Sequence, residues 1–314
     1  MTGGALAGVR VLDLTAVVVG PVCTQTLADH GAEIIKLEPL EGDLLRRLGG
    51  PSRSGAMSSK FLAFNRNKRS IAVDLKAPEG REIAARLVAQ SDVLVANIRP
   101  PALKRLGLSY QECRARNPRL IYCSLVGFGQ NGPYRAKPAY DTIIQGSAGV
   151  AACHARATGE PRYVPMVMAD HIVGMIAAQQ IAMALFHRER TGEGQAIEVP
   201  MFENMAAFVL SEHLYLKTFE PPMGGTGDPR VINPEAKPLA TRDGYICISA
   251  NTDAQAFGFF EAIGRPELKA DPRFSSIAAR FAHVNAYFEL RASALRARTT
   301  AEWLEIFDRL DVPA

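Results

Sequence analysis

Short apolar runs alternate with helical stripes through the first half of the chain. Residues 9–14, 33–37, 70–75, 92–95 and 120–125 are rich in Val, Ile and Leu and predict strands. A helix opens at Gly20-Pro21 and runs through Leu27. Another starts at Pro78, whose fixed φ suits a first helical turn, and puts Ile83, Ala84, Leu87 and Val88 on one stripe. Strands of this kind, separated by helices, predict an α/β fold: a large Rossmann-like domain with a parallel sheet covered on both faces. Ligands of such sheets bind beyond the carboxyl ends of the strands, which places Val18, Val19, Asn97 and Ile98 near a ligand. Residues 201–219 then form a helix leading away, and Asp228-Pro229 and Asn233-Pro234 mark a boundary region. A turn into an alternating strand over 241–249 follows. Helices over 257–263, over 284–298 and from Thr300 complete a smaller α+β domain. The expected division is 1–200, a linker helix and glycine loop over 201–227, and 228–314.

A nicotinamide-binding reading fails at the first turn. No Gly-x-Gly-x-x-Gly follows the first strand, and Gly224-Gly225-Thr226-Gly227 arrives without a preceding strand, as a mobile loop would. No P-loop is present. With 47% hydrophobic and 22% charged residues over 314, the chain is of ordinary globular composition. Its net charge of +4 suits a phosphorylated ligand but is too weak for nucleic acid. Five cysteines, odd in number and widely spaced, predict a reducing cytoplasm. The first residues lack a basic and apolar leader. The apolar stretch over 172–186 is interrupted by Gln179 and Gln180; it predicts a buried helix too short for a membrane.

Asp170 stands where an extended stretch gives way to that helix. A carboxylate there accepts orphan backbone N–H groups and feels the positive end of the macrodipole, so it is expected to be ionised at neutral pH. Such a group caps, which is the commoner role, or attacks an activated carbonyl. Arg66, Lys68 and Arg69 divide in the same way, between phosphate ligands and a solvated basic turn.

An ordered series of blocks carries a specific resemblance. It runs through Val11-Leu12-Asp13-Leu14-Thr15, Gly20-Pro21, residues 31–38, residues 65–71, Asp74-Leu75-Lys76 and Glu79-Gly80. It continues through Gly127-Phe128-Gly129, Gly132-Pro133-Tyr134, Tyr140-Asp141, Ala169-Asp170 and residues 191–195. Together these resemble the family III CoA-transferases, which include formyl-CoA and carnitine CoA-transferases and have α-methylacyl-CoA racemase as a close relative.

The resemblance implies that Asp170 is the nucleophile. It would form a mixed anhydride with the acyl group and then an aspartyl-CoA thioester, with the glycine loop as a lid. It implies CoA contacts at Val18, Val19, Val73, Asp74, Leu75, Lys76, Asn97, Ile98, Arg99, Arg105, Lys137 and Tyr140. Acyl-CoA and a carboxylic acid would be substrates, with no permanently bound cofactor or metal and neither nucleic acid nor membrane as partner. Two departures argue against formate and oxalate as the substrate pair. Pro39 stands where formyl-CoA transferases carry arginine, and Val18 replaces a glutamine near the reacting carbonyl. Tyr140 stands where the racemases place a catalytic histidine, which favours transfer over epimerisation. His154 and His171 are the other histidines considered for proton transfer. An inactive CoA-binding homologue is the third reading. Family members resemble two interlocked rings, so a homodimer is expected. The chain ends at Ala314, before the family's C-terminal return segment.

Overall fold

The computed structural model describes residues 3–314 except 51, 54 and 56. Met1 and Thr2, part of the leader reading, lie outside the described residues. Two compact units form, Met1–Val150 with Tyr163–Val209, and Ala151–Arg162 with Leu210–Ala314.

The first unit begins with β1 (Arg10–Leu14), α1 (Val19–Asp29), β2 (Glu33–Glu38) and α2 (Ser59–Phe64). It continues with β3 (Lys68–Ala72), α3 (Pro78–Gln90), β4 (Val93–Ala96), α4 (Pro100–Arg105) and α5 (Tyr110–Arg116). Then come β5 (Ile121–Val126), α6 (Asp141–Ser147), α7 (Val150–Thr158), whose body lies in the second unit, α8 (Met168–Thr191), β6 (Gln195–Pro200) and α9 (Met201–His213). The six strands are all parallel, in the order β3-β2-β1-β4-β5-β6.

The period-2 alternation of strand side chains divides the core in two. Val93 and Val95 of β4 face one way, with Val11, Ile34, Ile121 and Cys123, onto α1 and α8. Leu94 and Ala96 face the other way, with Leu12, Leu37 and Tyr122, onto Ala84 and Val88 of α3, Leu103 of α4 and Cys113 of α5. The edge strand β3 begins and ends earlier than expected. Asp74 Oδ1 accepts from Lys76 N (2.9 Å), and Ala77 N donates to Asp74 O, turning the chain into α3.

The apolar helix is longer than the sequence pattern suggested. α8 has 24 residues and ends at Gly192, which takes a φ of 78° and donates to Arg188 O. Length and composition alone would let it cross a bilayer, so its shortness does not argue against that. Its packing does: Val173, Ala177, Ile181 and Ala184 are buried in the core. At Gly174 the backbone comes so close to α1 that a Cβ would lie 2.6 Å from Val19 O.

α9 stays with the first unit as far as Val209, beyond the expected break at 200. Its Met201 and Met205 are buried in that unit's core. The helix expected over 201–219 ends at His213 and gives way to a 3-10 turn, Tyr215–Thr218. The second unit has β7 (Leu239–Ala240) and β8 (Tyr245–Ile246), α10 (Asp253–Ala262), α11 (Ile277–Ala282), α12 (Val284–Ala294) and α13 (Thr300–Arg309). The strand expected over 241–249 is thus only a two-residue antiparallel pair. Thr241 both accepts from Gly244 N at its hydroxyl and donates its own N–H to Gly244 O, closing the turn. Phe259, Phe260, Trp303 and Phe307 form the core of this unit, and the Trp303 indole donates to Leu295 O (2.7 Å).

Buried charges tie the sheet of the first unit to the loop after β1. Lys36 Nζ pairs with Asp43 (3.0 Å) and donates to Thr15 O (2.6 Å), and both side chains are 1% exposed. Lys36→Met strands the Asp43 charge and is expected to cost about 3–5 kcal/mol in urea denaturation. The Lys36→Met/Asp43→Asn double variant, which removes the stranded charge and keeps an acceptor oxygen for Val17 N and Leu45 N, should recover most of that loss.

Candidate active site

The loop from Thr15 to Val19 is pinned from three sides. Asp13 accepts from Thr15 N and Oγ1 (2.8 and 2.5 Å), from Thr24 Oγ1 (2.6 Å) and from Lys68 Nζ (3.2 Å). Burial pushes the Asp13 carboxyl up, but Lys68, Lys36 and the two hydroxyls outweigh it and hold the group well below the usual carboxylate range. The Asn97 side chain clasps Ala16, accepting from its N–H (3.0 Å) and donating to its carbonyl (2.8 Å). Asp43 Oδ1 accepts from Val17 N (3.1 Å) and from Leu45 N (2.9 Å). Val17 itself holds a φ of 68°, a left-handed conformation costly for a β-branched residue and kept only by such over-determination.

This loop forms one wall of a cavity of about 890 Å³ beyond the carboxyl ends of β1, β4 and β5. The opening lies where the strand order reverses between β1 and β4. Val18, Val19, Asn97, Ile98, Arg99, Lys137, Tyr140 and Asp170 all line it, so most of the expected site residues come together.

Five do not line it. Val73 is buried in the α3-side core and Leu75 packs against that core. Asp74 and Lys76 form the turn after β3, and Arg105 follows the lining residue Lys104. The basic trio is committed elsewhere. Arg66 pairs with Asp29 and Arg69 with Glu33, while Lys68 is buried on Asp13, Pro21 O and Asn65 Oδ1. Neither phosphate ligand nor solvated turn describes Lys68. The sequence reading missed Lys104, Gln130 and Arg135, which line the cavity with Arg99 and Lys137. The alternation of Arg135 and Lys137 in a proline- and glycine-rich segment was the available signal.

Asp170 differs from expectation in its electrostatics. α8 starts two residues before it, and no side chain of the helix's own N-terminus caps it. The cap is Asp141 of α6, whose Oδ1 accepts from Ala169 N (2.8 Å) and Asp170 N (3.2 Å). Gln145 donates to Asp141 Oδ2 (2.6 Å) and to Met166 O (3.1 Å), and accepts from Val164 N (2.9 Å), which fixes the approach to the helix. The Asp170 carboxyl is therefore free. It is 8% exposed, and among the described residues nothing donates a hydrogen bond to it. Burial, and then the Asp141 charge, push its pKa from 3.8 up to about 7. The expectation of a fully ionised capping carboxylate is thus corrected. His171 packs its ring edge-on against Phe64 at 5.3 Å, as a packing residue does.

The family model for CoA-transferase family III matches residues 6–314. The chain belongs to that family. It is 36% identical over 286 residues to a succinate–glutarate CoA-transferase of Agrobacterium fabrum, covering 88% of this chain and 71% of the relative. It is 36% identical over 312 residues to an acetyl-CoA:oxalate CoA-transferase of Acetobacter aceti, covering 99% and 80%. Among solved structures, a CAIB/BAIF family protein from Brucella suis superposes with a TM-score of 0.82 at 34% identity, covering 99% of this chain and 83% of that one. In this member of family III the carboxyl at position 170 is poised near neutrality.

The folded chain holds the Asp170 proton more tightly than the unfolded chain does. Its contribution to stability is fully present below about pH 3.8 and is lost as pH rises through about 7. Asp170→Asn removes that loss. Its stability advantage over the parent should grow by roughly 2.5 kcal/mol between pH 5 and pH 8 in denaturant melts. An advantage independent of pH would contradict the assigned ionisation.

Proposed function

We propose that this chain transfers CoA from an acyl-CoA thioester to a carboxylic acid, with Asp170 as the covalent nucleophile. The observation that carries the reading is an uncapped, buried carboxyl on the wall of a large, cation-lined cavity. The first step joins an Asp170 oxygen to the thioester carbonyl carbon and breaks the C–S bond, giving a mixed anhydride and CoA thiolate. The thiolate then attacks the aspartyl carbonyl, forming aspartyl-CoA and releasing the first acid. The acceptor acid attacks in turn, giving a second anhydride, and the thiolate carries off the new acyl group as acyl-CoA. Asp170 is restored, and no proton is consumed.

The electrostatics support this chemistry. An ionised Asp170 bears the cost of burial beside Asp141, and acylation removes that charge. A carboxylate of raised pKa is also the more basic nucleophile. Arg99, Lys104, Arg135 and Lys137 suit the phosphates of CoA, with Lys137 Nζ lying 3.9 Å from the centre of the Tyr134 ring. The relatives' names include glutarate and oxalate. A short dicarboxylic acid is accordingly the acceptor class we favour. A homodimer and a cytoplasmic site belong to the same proposal, the latter supported by five free cysteines.

Asp170→Ala is expected to reduce transfer by far more than tenfold while leaving CoA affinity within a few-fold. Retention of a tenth of the activity, a barrier change of only about 1.4 kcal/mol, would remove Asp170 from the nucleophile's role. Hydroxylamine trapping followed by mass spectrometry should find the modification on Asp170. Exchange of the substrate's α-hydrogen with deuterated water, without transfer, would instead indicate an epimerase.

The rate of the acylation step should rise with pH through about 7, since only the carboxylate attacks. Asp141→Asn keeps an acceptor oxygen for the α8 cap and removes the like charge. Its rate profile is expected to move to lower pH; an unmoved profile would show that Asp141 does not set the ionisation of Asp170.

A further inference from the structure

The second unit holds two deeply buried arginines with different surroundings. Arg280 is 4% exposed and pairs with Asp253 at 2.7 Å. Arg291 is 7% exposed, and among the described residues no carboxylate pairs with it. Its Nη2 donates to Ile248 O, its guanidinium lies 5.6 Å from the Tyr287 ring and 5.3 Å from the Phe288 ring, and its Nε has no hydrogen-bond partner among the described residues. A buried cation left this way carries a desolvation cost that an anion would offset.

Arg291 lines a cavity of about 400 Å³ together with Arg230, Lys237, Ser249, Asn251 and Phe288. The charge count there is specific. Arg230 is held by Asp228 at 2.7 Å and Lys237 by Glu235 at 3.1 Å, so both are already neutralised. One positive charge remains, on Arg291. The Ser249 and Asn251 side chains supply further polar groups, while Phe288, Val231 and Ala236 supply an apolar wall.

We propose that this cavity binds a monocarboxylate with a short apolar body, its oxygens on the Arg291 guanidinium and its body against Phe288. The site lies wholly within the second unit and is separate from the Asp170 cavity in its lining residues. A dianion such as phosphate would exceed the single spare charge and lacks the body that the apolar wall accommodates. Arginine's fork matches a carboxylate where lysine's point charge does not.

Butyrate titrated calorimetrically into the whole chain tests this. Saturable binding is expected, weakened tenfold or more by Arg291→Lys and severalfold by Lys237→Ala, which leaves Glu235 facing the ligand. Lys137→Ala, in the first cavity, should leave it unchanged. If Arg291→Lys does not fold, Lys237→Ala and Ser249→Ala carry the same test. Absence of saturable binding, loss of binding in Lys137→Ala instead, or tighter Arg291-dependent binding of inorganic phosphate would each overturn the proposal.

Discussion

The two hydrogen bonds from Ala169 and Asp170 to Asp141 determine what Asp170 can do. A helix start needs an acceptor, and the nearest carboxylate in sequence ordinarily supplies it. Here the acceptor comes from α6, held by Gln145 one turn further along, so the carboxyl at the helix start is left without a structural duty. The same arrangement places a second carboxylate beside the first. One contact thus frees the group and also raises its proton affinity.

Behind the cavity, the sheet is used as an electrostatic frame. Asp13, Lys36, Asp43 and Lys68 are almost wholly buried, and their bonds converge on the loop from Thr15 to Val17. A loop that must carry Val17 at a positive φ gains nothing from its own sequence in holding that shape. Its conformation is imposed by residues from β1, β2, β3 and the chain after β2. Breaking a single member leaves its partner charged in a dry interior, so the frame tolerates little piecemeal change.

Five of the six strands were legible, most clearly where burial is written locally, as in Val93, Leu94, Val95 and Ala96; the edge strand β6, largely unburied, was missed. The turn residues after β1 and β4 were legible through a rule of topology, which is why Val18, Val19, Asn97 and Ile98 were found. Asp170 was visible by position, but its ionisation was not, because it is set first by burial and then by a carboxylate 29 residues away, and neither is written in the local sequence. Lys68 was read as either a phosphate ligand or part of a solvated basic turn, since its burial depends on Asp13, 55 residues distant. The short β7–β8 pair was overread as a longer strand. Alternation continues past Ile246, but no partner strand does.

Gly174 lies one helical turn, about 6 Å, beyond Asp170 along the axis of α8. Its missing side chain lets that turn rest against the carbonyl of Val19, which lines the same cavity at the head of α1. The contact therefore works as a gauge block between the Asp170 carboxyl and the loop. Drift at this position by even one ångström would be transmitted to both at once, and near-attack geometry is that sensitive. A side chain at residue 174 would therefore disturb the packing of α8 on α1 and the standing of the carboxylate together.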